Sequence, residues 1–315
     1  MDVAESAPLL VLLGPTAVGK TDLALLWAEA VGAEIIQADS TTVYRGFDIG
    51  TAKPGAAERA RVPHHLIDVA DPTERFTAAR FQQLGYEAVR RIRARGRIPL
   101  VVGGTGLFIR SLVDNYPFPV ETDRRYVAIL TRRLEAAGLP ALRRQLRLMD
   151  PPSHEAIAPG DARRTLRALE VILGTGVHLP RTPGPWRPAL RVGLIRGRDV
   201  LARRIALRAA RQMEAGLLGE VLAHLQTGIP PSAPAFQALG YREGALWARG
   251  LVGDREIEPL IIRRTRQYAK RQLTWFRHER DVRWIDLDVT PETEVLRRLV
   301  AWTHSFTGRT PDCQS

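Results

Sequence analysis

Eight consecutive residues carry the most specific chemistry in this 315-residue chain: Gly14-Pro15-Thr16-Ala17-Val18-Gly19-Lys20-Thr21. They match G-x-x-x-x-G-K-[ST], the P-loop of nucleotide-binding and ATP-binding proteins. Glycines let the backbone N–H groups wrap an anion, and the start of the following helix adds positive potential. Lys20 neutralises phosphate oxygens, and the Thr21 hydroxyl is placed to ligate Mg²⁺. The ligand implied is a di- or triphosphate. A carboxylate follows at Asp39, heading Asp39-Ser40-Thr41-Thr42-Val43-Tyr44. Facing the phosphates, it suits a general base or a Mg²⁺ partner; a helix N-cap is the alternative, since Asp and Ser both favour that position. P-loop NTPases also hold Mg²⁺ through an Asp that ends an apolar strand. That signal is weak, because residues 98–102 end in Gly103-Gly104-Thr105 and Asp68 follows only Leu66 and Ile67.

The elements that must position these groups are legible from periodicity. Residues 9–13 are an apolar run ending at Gly14, the signature of a buried parallel strand. Residues 21–31 have helical spacing, residues 34–38 form a second strand, and residues 65–69 a weaker third. Residues 77–95 read as an amphipathic helix closed by Gly96, and 98–102 as a fourth strand. This alternation predicts an α/β, P-loop NTPase-like fold with a doubly wound parallel sheet. Ligands of such sheets bind beyond the C-terminal strand ends, and Gly14, Asp39 and Gly103 all fall at such ends. From residue 122 the chain turns Arg- and Leu-rich with helical periodicity, broken at 138–140 and 150–152. The expected organisation is a first part of the core over 1–121, a helical insertion over 122–188, and a second core part over 189–315. That last part includes a returning strand at 190–195, a long basic helix at 256–278 and a final strand at 282–287.

Composition narrows the partner. Lys+Arg 46 against Asp+Glu 34 gives a formal charge of +12, which favours an anionic partner, nucleic acid first. An arginine-rich solvated surface is the alternative. The three lysines, Lys20, Lys53 and Lys270, point to positions where a compact ammonium is preferred to a guanidinium fork. The single cysteine, Cys313, excludes an internal disulfide and argues against a thiolate zinc site. The N-terminus lacks the basic start of a secretory signal, and no apolar run reaches the roughly 20 residues of a membrane span. The expectation is a soluble, cytoplasmic, monomeric protein.

Several blocks in order resemble the tRNA dimethylallyltransferase family. They are the P-loop, Ala38-Asp39-Ser40, Val43-Tyr44-Arg45-Gly46, Asp48-Ile49-Gly50-Thr51-Ala52-Lys53-Pro54, Pro63-His64-His65-Leu66-Ile67-Asp68 and Val102-Gly103-Gly104-Thr105-Gly106-Leu107. The match continues through Arg167-Ala168-Leu169-Glu170-Val171, Leu239-Gly240-Tyr241-Arg242 and Thr265-Arg266-Gln267-Tyr268-Ala269-Lys270-Arg271-Gln272-Leu273-Thr274-Trp275. The resemblance implies transfer of a dimethylallyl group from its diphosphate to the exocyclic N6 of the adenosine 3′ of the anticodon. It implies Asp39 as the base, Thr105 in the reaction centre, and residues 14–21 with Mg²⁺ on the diphosphate. Arg208 aligns best with a diphosphate-binding arginine of the family, although Ala209 stands where an aromatic residue is common. Contacts to tRNA are implied at Asp39, Ser40, Thr41, Thr42, Asp123, Arg163, Arg167, Gly240, Tyr241, Arg242, Arg266, Lys270 and Arg271. The 256–278 helix places Arg263, Arg266, Lys270 and Arg277 on one stripe with Arg264 and Arg271 beside it, a pattern suited to phosphates or simply to water. The acceptor adenosine would have to be flipped out to reach Asp39.

Other classes share the P-loop. A kinase acting on a small molecule would turn over ATP without tRNA. An adenylate isopentenyltransferase would prenylate a free nucleotide, which needs neither the basic insertion nor the 265–275 block. A non-catalytic RNA-binding protein would not need Lys20, Thr21 and Asp39 together.

Overall fold

The computed structural model describes residues 8–118, 124–176 and 188–308. The chain divides into two compact units, Met1–Asn115 with Trp186–Ser315, and Tyr116–Pro185. The larger unit holds six strands: β1 (Leu9–Leu13), β2 (Ala33–Ala38), β3 (His64–His65), β4 (Ile98–Gly103), β5 (Ala189–Ile195) and β6 (Val282–Asp286). All pair in parallel, in the order β3-β2-β4-β1-β5-β6. Its helices are α1 (Lys20–Val31), α2 (Ala56–Arg61), α3 (Ala78–Ala94) and α4 (Gly106–Val113) in the first part. After three helices of the smaller unit, α5 (Arg124–Met149), α6 (Pro151–Ala156) and α7 (Ala162–Thr175), come α8 (Arg198–Glu214), α9 (Leu217–Gln226), α10 (Tyr241–Ala248), α11 (Asp254–Phe276) and α12 (Glu292–Thr307).

A parallel sheet is covered on both faces, and successive side chains alternate between them. Leu10 and Leu12 of β1 join a layer with Leu23 and Trp27 of α1 and Val295 and Leu299 of α12. Leu9, Val11 and Leu13 enter the opposite layer with Phe81 of α3 and Phe108 and Leu112 of α4. Both faces of β1 are apolar, which is why residues 9–13 read as a continuous run rather than an alternation. Trp27 is buried with its indole N–H on Thr303 Oγ1 at 2.9 Å, so the large ring leaves no polar atom unpaired.

The third strand is shorter than its sequence suggests. Pairing stops at His65, because Leu66 (φ 65°) and Asp68 (φ 58°) adopt left-handed backbone that breaks the ladder. In the smaller unit, α5 is broken at Gly138, whose φ of 71° no helix accommodates. Asp150 and Asp161 cap α6 and α7 by accepting the Ser153 and Arg164 N–H groups. Leu130, Leu142, Leu146 and Leu169 form that unit's core. Among the described residues, no helix is long and apolar enough to cross a membrane.

Candidate active site

The strand order sets the C-terminal ends of β2, β4 and β1 side by side, and the loops beyond β1 and β2 border a cleft of about 1120 Å³. The phosphate loop runs from β1 into α1. Gly19, at φ 111°, takes a conformation that a side chain would strain. Lys20 Nζ donates to the carbonyls of Gly14 and Pro15 at 2.9 and 2.8 Å, so the ammonium curls over its own loop. Burial lowers its pKa to about 8, with nearby Arg208 adding to the fall and Asp39 opposing it. Thr21, the second residue of α1, is exposed on the cleft.

Three arginines brace this loop. Arg204 Nε donates to Ala17 O at 2.8 Å and Arg196 Nε to Val18 O at 3.0 Å. Arg208 Nη1 donates to Thr16 Oγ1 at 3.2 Å, and its Nη2 to Thr51 O at 3.3 Å. Burial lowers the Arg208 pKa, and Asp39 partly restores it. The geometry therefore brings Lys20, Arg208 and Asp39 into one electrostatic group. Ala209, which stands where an aromatic residue is common, is buried in the layer beneath α8.

No helix starts at Asp39, so the capping alternative gives way to a tight turn. Thr41 donates both its N–H (2.9 Å) and its hydroxyl (2.6 Å) to Asp39 Oδ1. Thr105 Oγ1 accepts the Ser40 N–H at 3.0 Å, tying the loop after β4 to the loop after β2. Ser40 and Thr41 are half-buried at the cleft, and Thr42 borders it while nearly all of its side chain is covered. At 1% exposure it supports the turn, its hydroxyl directed at Asp39 O at 3.5 Å.

The opposite wall is the 48–53 segment. Lys53 sends its buried ammonium to Tyr44 O at 2.8 Å, to Asp68 Oδ1 at 2.6 Å and to Asp48. Arg59 also pairs with Asp68 at 3.0 Å. Burial pushes the Asp68 carboxyl up, but the Lys53 and Arg59 bonds prevail and its pKa is lowered. Asp68 is thus engaged in holding this segment. Tyr241 requires a correction as well: it is 0% exposed, bonded to Glu220, and accepts the Gly50 N–H at 3.1 Å. Gly240 is buried beside it, so the pair supports the cleft wall instead of offering a surface to RNA. Arg242, the next residue, is exposed and does line the cleft.

Helix α11 closes the site. Its inward face carries Tyr268 and Gln272, neither singled out from sequence although both lie in the 265–275 block. Gln272 Oε1 accepts the Thr16 N–H at 2.8 Å, and its Nε2 donates to Gly104 O at 2.9 Å. The double glycine after β4 follows from this packing. A Cβ on Gly103 would lie 2.0 Å from Ala38 O, and one on Gly104 2.3 Å from Gln272 Nε2. Tyr268 lines the cleft; burial, then the Asp39 charge, pushes its pKa up to about 12, against the opposing effect of nearby Thr105 and Gln272. The i, i+4 spacing of 268 and 272, in phase with buried Ala269 and Phe276, was the available signal. On the outward face Arg263, Arg266, Lys270 and Arg277 are exposed, while exposed Arg271 lies over the Tyr268 ring at the cleft. Arg264 leaves the stripe, pairing at 2.7 Å with Glu243, which is 0% exposed.

Residues 42–279 match the family described as IPP transferase. The chain belongs to the IPP transferase family. It is 46% identical over 286 residues to a tRNA dimethylallyltransferase of Desulforudis audaxviator, covering 89% of this chain and 92% of that one. The solved full-length tRNA isopentenylpyrophosphate transferase of Bacillus halodurans is 37% identical with a TM-score of 0.73, covering 96% of this chain and 97% of its own. A eukaryotic dimethylallyltransferase solved acting on tRNA is 26% identical with a TM-score of 0.83, covering 98% of this chain and 82% of its own. The six-stranded parallel fold is thus that of IPP transferases, with the phosphate loop and Asp39 in one cleft. In the smaller unit of this family member, Arg163 is exposed and Arg167 pairs with Glu170 at 2.7 Å. Asp123 lies outside the described residues.

Proposed function

We propose that this protein transfers the dimethylallyl group of dimethylallyl diphosphate to the exocyclic N6 of the adenosine 3′ of the anticodon in tRNA. The observation that carries the reading is the placement of Asp39 against Lys20 and Arg208, a proton acceptor beside an anion cradle, within an IPP transferase chain. The N6 lone pair attacks C1 of the dimethylallyl group as the C1–O bond breaks. The diphosphate leaves with the bonding electrons, and Asp39 takes the proton from N6. The adenine amine is a poor nucleophile because its lone pair is delocalised into the ring, so the carboxylate matters most as the new bond forms. Lys20, Arg208 and the backbone N–H groups at the start of α1 meet the charge growing on the leaving group, where preorganised donors contribute most. Thr105 holds Ser40 and with it the turn that aims Asp39.

Mg²⁺ fits the donor set. The exposed Thr21 hydroxyl stands beside Lys20 at the start of α1, and the described residues hold no cluster of three or more His, Cys, Asp or Glu. The hydroxyl that follows the lysine of a P-loop is a known ligand of this ion, together with substrate phosphate oxygens. Bound there, Mg²⁺ would neutralise charge on the departing diphosphate.

The exposed face of α11, with Arg266 and Lys270, and Arg271 and Arg242 at the cleft would contact tRNA phosphates. Ser40 and Thr41 would touch the flipped adenosine. Arg163 and Arg167 would add contacts from the smaller unit to the anticodon stem-loop. The enzyme would work in the cytoplasm as a monomer. Mass spectrometry of unmodified tRNA incubated with dimethylallyl diphosphate and Mg²⁺ tests the reading. A dimethylallyl adduct on the adenosine 3′ of the anticodon is expected; ATP turnover without tRNA and no adduct would replace it with a kinase.

A further inference from the structure

We propose that Gln272, together with Tyr268 one turn earlier on α11, is a positioning pair for prenyl transfer that fixes the distance between the diphosphate cradle and the carboxylate that accepts the proton. The inference rests on the reading of the site given above.

Gln272 is 5% exposed and uses both ends of its amide. Oε1 holds the Thr16 N–H of the phosphate loop (2.8 Å), and Nε2 holds Gly104 O (2.9 Å) in the loop that carries Thr105. Both bonds cross from α11 to loops that leave different strands, so neither belongs to a regular ladder. Tyr268 lines the cleft beside Gln272, near enough to Thr105 and Asp39 for both to act on its hydroxyl, and Thr105 holds the Ser40 N–H at 3.0 Å. A path of bonds therefore runs from Thr16 through Gln272 to Gly104, and from its neighbour Thr105 to Ser40, the residue next to Asp39.

The chemistry of the two side chains assigns the role. Neither has a charge with which to bind diphosphate, and Asp39 is the group suited to take the proton. If filling space were the only need, an apolar residue would suffice, since a buried amide must be fully bonded to avoid a desolvation cost. What the amide adds is a set separation between two loops. One loop holds the leaving group, and the other holds the turn that aims the base. A misplacement of about 1 Å at the reacting atoms is enough to cost on the order of a hundredfold in rate.

Three variants of the full chain test this: Gln272→Met, which keeps the side-chain volume and removes both bonds; Tyr268→Phe, which removes only the hydroxyl; and the two combined. Steady-state prenylation of unmodified tRNA is measured for each, with equilibrium binding of inorganic diphosphate and of tRNA. Each single variant is expected to lower kcat by roughly 10- to 100-fold, with both KM values within about threefold of wild type. Binding of both ligands should persist, and the combined variant should be no slower than Gln272→Met, because the two act as one unit. A kcat within about twofold of wild type, a loss carried by the KM for dimethylallyl diphosphate, or multiplicative effects in the combined variant would each overturn the proposal. Should Gln272→Met fail to fold, the kcat of Tyr268→Phe, which keeps the ring and its packing, decides alone. A wild-type protein that leaves tRNA unmodified would instead sink the functional reading on which the proposal stands.

Discussion

At the scale of single residues, the site depends on how three charged groups share a half-buried space. Asp39 is held by two bonds from Thr41 and stands against Lys20 and Arg208. Replacing Asp39 by Ala is expected to lower prenyl transfer by at least about a hundredfold, the usual contribution of a general base, while tRNA binding persists. Single-turnover transfer alongside filter binding checks this, and unimpaired transfer would remove Asp39 from the mechanism. Lys20 allows a second prediction. Its pKa in the folded protein is lowered from 10.5 to about 8, so the folded state holds the proton less tightly than the unfolded one. Its buried charge costs stability below about pH 8, and that cost is relieved as pH rises from about 8 to 10.5. The same deprotonation removes a cation from the anion cradle. Affinity for inorganic diphosphate should therefore weaken as pH rises through about 8, and Lys20→Met should lose this component; calorimetric titrations of both proteins across that range would show it. Parallel pH dependences in the two proteins would exclude Lys20 as the source. The three lysines occupy three different environments: one in the phosphate loop, one with its side chain 1% exposed and its ammonium between Asp48 and Asp68, and one exposed on α11. Their rarity pointed to special positions, but not to the structural use of Lys53.

At the scale of elements, α11 does two jobs that its sequence shows unequally. Its cationic outer face was legible, because exposed arginines at helical spacing need no knowledge of the neighbours. Lys270→Ala is expected to weaken tRNA binding and reduce the salt slope of that binding by about 1, as one lost phosphate contact should. Binding isotherms across a salt series measure the slope, and an unchanged slope would assign the face to solvent. The inner face was not legible in the same way. Gln272 and Tyr268 look like ordinary polar positions until the loops after β1 and β4 are placed against them. Gly103 and Gly104 illustrate the same limit. In sequence they end a strand where an acidic residue was sought; in the structure they make room for Ala38 and Gln272. The 65–69 strand failed for a local reason, two residues in left-handed backbone that alternation of side-chain character does not reveal.

At the scale of the whole molecule, every residue lining the cleft belongs to the larger of the two units. The monomer expected from the sequence should show a light-scattering mass near 35.0 kDa; specific activity that rises with protein concentration would contradict it. The formal charge of +12 matches a polyanionic substrate, although several arginines turn out to brace loops or pair with buried acids. The amino-acid sequence by itself determined the parallel α/β class, the phosphate loop and the helical character of the insertion, and placed Asp39 at the end of the second strand. Those features rest on local chemistry: apolar periodicity, glycine and proline punctuation, and a contiguous motif. Tertiary structure alone decided that Tyr241 and Thr42 are buried, that Asp68 is occupied by Lys53 and Arg59, and that Gln272 joins two loops. Each of those outcomes depends on contacts between residues far apart along the chain, and a pattern read along one strand or helix holds no information about what packs across from it.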